Sequence, residues 1–210
     1  MLAGLGLVTA FGHVSARTGD RMVITPAADL ADVDEDGLVE IAVDAATLPA
    51  GAPGESWIHL AVYRARPDVA AVVRAQPRAA VAAAAVTTAL HPLSGQASWL
   101  GRTVPVHDDA RLLRTAELAA AAAGALADGE ALLLRGNGAV TVGASPGLAV
   151  ARMWLLAAAC DAWMSTSDSG SRRPLADTEV DAWRAVAGEL LPRLWRHLRR
   201  TVPDPEGPLS

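Results

Sequence analysis

The chain has 210 residues, a formal net charge of −5, 51% hydrophobic residues and a mean hydropathy of +0.25. That is enough for one ordinary domain with a buried core and argues against wholesale disorder. All 18 basic residues are arginines and are outnumbered by 23 acids, so nucleic acid is a poor partner and lysine-dependent chemistry (Schiff bases, anchored pyridoxal phosphate, a P-loop) is excluded.

Residues 2–10 read as a short apolar helix or its last turns, followed by a strand and turn over Gly12–Asp20 and a strand at Met22–Ile24 that stops at Thr25-Pro26. An acidic turn, Asp32–Gly37, precedes an alternating strand, Leu38–Val43, and a Pro/Gly-rich loop spans Leu48–Gly54. Apolar residues at 57, 58, 61 and 62 predict a helix over Glu55–Arg64, ending near Arg66-Pro67. A strand at Val69–Val73, an alanine-rich helix at Arg78–Thr88 and a short strand at Val104–Val106 follow. Glu117–Leu126 is helical, and Ala131–Leu134 and Ala139–Val142 form a hairpin about Gly136-Asn137-Gly138. Ser145-Pro146 opens a long helix to about Met164, and Ser165–Ser171 is a polar linker. Over Leu175–Arg200 a single apolar face (Val180, Trp183, Ala187, Leu190, Leu191, Leu194, Leu198) predicts a helix kinked or restarted near Pro192. No apolar stretch reaches the roughly 20 residues a bilayer needs, and the N-terminus lacks the basic region of a signal peptide. Cys160 has no partner for a disulfide, so a reducing cytoplasm is the expected compartment.

The segments GLVTAFGHVSAR, MVITPA, GESWIHLAVYRARPDVAAVVRAQP and ALLLRGNGAVTVG, followed by a long helix, resemble the class II aldolase/adducin family from about Gly4 to Met164. Only a few residues precede the GLV segment, where the family carries a fuller first helix. The resemblance implies a three-layer α/β/α domain with a mixed, mostly antiparallel sheet over residues 1–164, with 165–210 as a linker and C-terminal helical extension. It also implies a homotetramer, or a homodimer, with the active site between subunits. Family members cleave or decarboxylate small hydroxy- and oxo-acids or sugar phosphates. Their divalent metal, usually zinc, is held by three histidines beside a glutamate, and it stabilises the enediolate that such reactions leave.

Glu55 matches the family glutamate, but the three histidine positions read Arg74, Gln76 and Asn137. A guanidinium is no metal ligand and amide oxygens suit zinc poorly, so the family metal is expected to be lost and no cofactor is predicted. Arg74 would place a fixed positive charge where the metal charge sits, binding a substrate carboxylate in bidentate fashion or stabilising an enolate. Glu55 would be the acid/base, with Gln76, Asn137, His13 and Thr25 binding substrate. His13 replaces the asparagine of sugar-phosphate members and Pro53-Gly54 replaces their serine pair, so a phosphorylated substrate is not expected. The GHVSAR form and the RG-x-G turn resemble decarboxylase members acting on oxo- or hydroxy-acids.

The other histidines read as structural: His59 packs its helix, His107 sits in a solvated turn with Asp108 and Asp109, and His197 lies on the surface. Ser15 has no readable catalytic partner. Two expectations follow. The first is a metal-independent carbon–carbon lyase for a small carboxylate. The alternative is a catalytically inactive aldolase-fold scaffold in which Arg74 and Glu55 only neutralise each other.

Overall fold

The computed structural model describes residues 1–34, 36–166 and 172–202. Eight strands form one sheet: β1 (His13–Thr18), β2 (Arg21–Ile24), β3 (Val39–Ala42), β4 (Ala71–Ala75), β5 (Ala89–Leu90), β6 (Val104–His107), β7 (Ala131–Leu134) and β8 (Gly138–Gly143). Their order is β3-β2-β1-β4-β8-β7-β6-β5, antiparallel throughout except for the parallel pair β6/β7. The helices are α1 (Ser56–Ala65), α2 (Arg78–Val86), α3 (Ala116–Leu126), α4 (Pro146–Ser165), α5 (Asp177–Ala185) and α6 (Ala187–Thr201).

Alternation along the strands creates two cores. Val72, Leu132, Leu134, Val140 and Val142 face α1 and α3, while Ala71, Val73, Ala75, Leu133 and Ala139 face α2 and α4, with α6 packed on α4. The result is the expected three-layer α/β/α domain with a mixed sheet and an added helical extension. Central strands buried on both faces explain why β4 and β7 read as continuous apolar runs. Each fully buried Leu, Ile or Val in these layers contributes roughly 1.5–3 kcal/mol.

Caps set the helix starts where the sequence supplies them. Thr115 and Ser145 accept the backbone N–H groups of Leu118 and Leu148, and Pro146 follows Ser145 at the first helical position. Helix α4 is 20 residues long and apolar enough to cross a membrane, yet half of it is buried against the sheet and α2, as a core helix is.

Three details differ from expectation. Residues 2–7 make one turn rather than a helix, closed by Leu7 N–H on Leu2 O and Gly6 N–H on Ala3 O with Gly6 at φ +67°. Strand β4 runs on to Ala75, which puts Arg74 inside the ladder opposite His13. The C-terminal tail breaks at Val186, not near Pro192. That break lets the Trp99 indole N–H donate to Trp183 O while Leu191 and Leu198 join the core under α4. Pro192 then sits within α6, where it forfeits only one backbone bond. Of the polar linker, residues 167–171 lie outside the described part.

Candidate active site

Glu55, His59 and Tyr63 are spaced i, i+4, i+8, so they form one stripe along α1. His13, Ser15 and Arg17 alternate onto one face of β1, and the two stripes meet. Glu55 is the residue before the first turn of α1, and its carboxylate caps nothing there. Instead it turns inward. Its Oε1 accepts from Asn137 Nδ2 at 2.6 Å and from the Leu113 N–H at 3.2 Å, and its Oε2 lies 3.1 Å from Arg74 Nη2.

Asn137 reaches this point because of its turn. Gly138 has φ +85°, and a Cβ there would lie 2.2 Å from Ala75 O and 2.8 Å from Gln76 Cα. Only glycine permits that approach, which lays the Asn137 amide across the end of β4. Asn137 Oδ1 then accepts from Arg74 Nη2 and, at 3.2 Å, from Gln76 Nε2. Glu55, Arg74 and Asn137 are all buried.

These groups do not suit the divalent metal implied by the resemblance. The one carboxylate already accepts two hydrogen bonds and is ion-paired to a guanidinium occupying the centre of the cluster. The remaining oxygens are neutral amides, and Arg74 stays protonated although burial lowers its pKa, with the Glu55 charge opposing that shift. Among the described residues no three His, Cys, Asp or Glu gather as a metal site. His107, Asp108 and Asp109 do not form one: Asp108 pairs with Arg135 and Asp109 with Arg111.

Arg74 Nη2 is engaged by Glu55 and Asn137, so a bidentate grip on a substrate carboxylate would have to displace these partners. Its Nε is enclosed without a partner. Nη1 makes no hydrogen bond among the described residues and is not enclosed, and Arg74 lines the cavity described below.

His13 Nδ1 lies 2.6 Å from His59 Nε2, and His59 Nδ1 lies 2.6 Å from Ser15 Oγ. Ser15 Oγ is in turn 2.8 Å from Tyr63 Oη. Burial, aided by the Arg74 charge, pushes the His59 pKa down to about 3. Burial also lowers His13 well below its ordinary value, with His59 and Arg74 adding to the effect. Both imidazoles are therefore neutral at pH 7. Burial raises the Tyr63 phenol to about 12, so it keeps its proton.

A cavity of about 380 Å³ opens over this cluster, within the range of small-molecule sites. His13, Glu55 and Arg74 form part of its wall, together with Pro26, Pro53, Gly54 and Arg114. Phe11 stands two-thirds exposed on the same wall. Gln76 and Asn137 sit behind Arg74 rather than on this wall, and Gln76 opens to a second cavity beside Trp154 and Asp161. Thr25 does not line it either; its hydroxyl accepts the Val14 N–H at 3.1 Å.

Two contributors escape a reading of the sequence alone. Arg114 lies far along the chain, in the loop before α3, and reaches the cavity because Gly54 leaves room for its side chain; a Cβ at Gly54 would lie 3.2 Å from Arg114 Cδ and Nε. Ser15 does have a histidine partner, His59, which the matching stripes of β1 and α1 signal only once the two elements are known to pack.

The chain matches the class II aldolase and adducin N-terminal domain over residues 1–164. It is 31% identical to a 3,4-dihydroxyphthalate decarboxylase of Arthrobacter keyseri, covering 94% of this chain and 88% of that protein. It is 32% identical to the enzyme of the same name from Terrabacter sp. (strain DBF63), covering 71% and 70%. Among solved structures, an L-fuculose 1-phosphate aldolase superposes with a TM-score of 0.81 at 23% identity, over 88% of this chain and 89% of that one. With its layers, its sheet order and this match over most of its length, the chain belongs to the class II aldolase and adducin N-terminal domain family.

Proposed function

We propose that this protein is a carbon–carbon lyase that decarboxylates a small, non-phosphorylated, hydroxylated carboxylate without a metal at the Arg74 position. The observation that carries this reading is one cavity wall bearing a carboxylate (Glu55), a neutral imidazole (His13) and two cationic groups, Arg74 Nη1 and Arg114. The relatives named as 3,4-dihydroxyphthalate decarboxylases point to an aromatic ring carrying carboxylates beside hydroxyls.

In such a substrate the ring hydroxyl ortho to the departing carboxylate activates the carbon. Both hydrogen bonds to Glu55 fall on Oε1, so Oε2, which is ion-paired to Arg74, keeps lone-pair capacity to take the hydroxyl proton. The protonated Glu55 then returns that proton to the carboxylate-bearing carbon, giving a cyclohexadienone. The C–C bond breaks, CO2 leaves, and its electron pair restores the ring as a phenolate that takes a proton from water. The sum is R–CO2⁻ + H⁺ → R–H + CO2. Arg74 and Arg114 would hold carboxylate and phenolate oxygens, a weaker sink than a dication but of the right sign.

The closed pair of Glu55 and Arg74 favours a second reading, a binding protein with a silent pocket. Incubation with 3,4-dihydroxyphthalate and with simpler dihydroxybenzoates, with chelator and with added zinc, separates them. CO2 release in chelator that is lost in Glu55→Gln supports the lyase. Saturable binding with no turnover under either condition supports the silent pocket. Assembly as a homotetramer or homodimer in the cytoplasm is proposed on the family's pattern, and sedimentation velocity tests the oligomer.

A further inference from the structure

The four groups running inward from the cavity wall, His13, His59, Ser15 and Tyr63, are each at most 5% exposed. Every neighbouring pair in the chain is within 2.8 Å, so each link carries one proton and runs in one of two directions. The inner end decides between them. Tyr63 has a single proton, and Ser15 Oγ is the acceptor in contact with it among the described residues.

If Ser15 donated to Tyr63, the phenolic proton would be left buried and unpaired. If Tyr63 donates to Ser15, then Ser15 donates to His59 Nδ1, His59 Nε2–H donates to His13 Nδ1, and no buried hydrogen is orphaned. The remaining hydrogen is on His13 Nε2, which has no partner among the described residues and is not enclosed. An unsatisfied buried hydroxyl is unfavourable enough to give a roughly 5- to 150-fold preference for the satisfied direction.

We propose that the Tyr63–Ser15–His59–His13 chain is polarised outward and fixes His13 as the Nε2-protonated tautomer, making it a hydrogen-bond donor to an oxygen of the bound substrate. Tyr63, Ser15 and His59 are then positioning residues that act through His13. A donor at this place suits a carboxylate, phenolate or hydroxyl oxygen and disfavours a ligand presenting N–H or ammonium groups. Only the identity of that oxygen rests on the lyase reading; the tautomer does not. The charged neighbour Arg74, opposite His13 in the β1/β4 ladder, opposes a second proton on the imidazole.

The test is a long-range ¹H–¹⁵N correlation spectrum of the full-length, ligand-free protein at pH 7, with His13 assigned by its loss in His13→Gln. The expected pattern is an unprotonated Nδ1 and a protonated Nε2 on His13, and the same tautomer on His59. In Tyr63→Phe, which keeps the ring and removes the deciding hydroxyl, the His13 signals shift toward a mixture of tautomers. A His13 protonated on Nδ1 or on both nitrogens in the natural protein overturns the proposal. So does an unchanged single tautomer in Tyr63→Phe. Neither readout needs turnover, so an absence of decarboxylation leaves this result standing on its own.

Discussion

Arg74 Nη2 stands 3.1 Å from Glu55 Oε2 with both side chains buried, where the resemblance implies a divalent cation. The two charges were taken out of water together, so each is tolerable only because of the other. This pairing links the fold to the site, since β4 supplies one partner and the start of α1 supplies the other.

Removing one partner should therefore cost far more than removing both. Arg74→Met leaves the Glu55 carboxylate buried and uncompensated, and urea unfolding should show a loss of about 3–5 kcal/mol. The double variant Glu55→Gln/Arg74→Met should be clearly more stable than Arg74→Met alone. Equal stability of the two variants would mean that the pair is not coupled.

The buried imidazoles give stability a defined pH dependence. His59 titrates near 3 in the folded chain and His13 is lowered as well, whereas both titrate near 6.5 when unfolded. Because the folded pKa values are depressed, the unfolded state binds more protons below pH 6.5. The contribution is thus fully present above that pH and is lost as pH falls toward 3. Each imidazole should remove about 1 kcal/mol per pH unit in that window. Unfolding free energies measured from pH 7 to 5 should fall with this slope in the natural protein and less steeply in His59→Gln.

Arg114 should separate binding from folding. Its side chain is exposed and unpaired among the described residues, so Arg114→Ala should change stability by less than about 0.5 kcal/mol. If Arg114 holds a substrate carboxylate, KM should rise about tenfold or more with a smaller change in kcat, the signature of lost uniform binding. Steady-state kinetics on a dicarboxylate substrate and on its monocarboxylate analogue measure this, and the effect should shrink for the analogue.

Much of this architecture was legible in the residues. The period-2 strands, the Gly136-Asn137-Gly138 turn and the Ser145-Pro146 helix start each carry a local signal that the fold does not override. The six-residue shift between Pro192 and the break at Val186 was not legible, because packing of Trp183 against Trp99 decides it. In the site, Glu55, Arg74, Gln76, Asn137 and His13 do come together, since the family pattern places their elements at one end of the sheet. Whether Arg74 is free or committed depends on distances that no spacing encodes. Thr25 lies in the same region, but backbone pairing to Val14 uses its hydroxyl. Ser15 carries no local signal because its partners, His59 and Tyr63, both lie more than 40 residues away in sequence.

The most direct test of the account is zinc stoichiometry, measured by equilibrium dialysis and elemental mass spectrometry. The natural protein would be compared with Arg74→His/Gln76→His/Asn137→His. Well under one zinc per natural chain is expected, because Arg74 and its contacts fill the centre of the cluster. Close to one zinc per chain is expected in the triple variant, where three imidazoles join Glu55. A full equivalent of zinc in the natural protein, released by chelator with loss of activity, would contradict it.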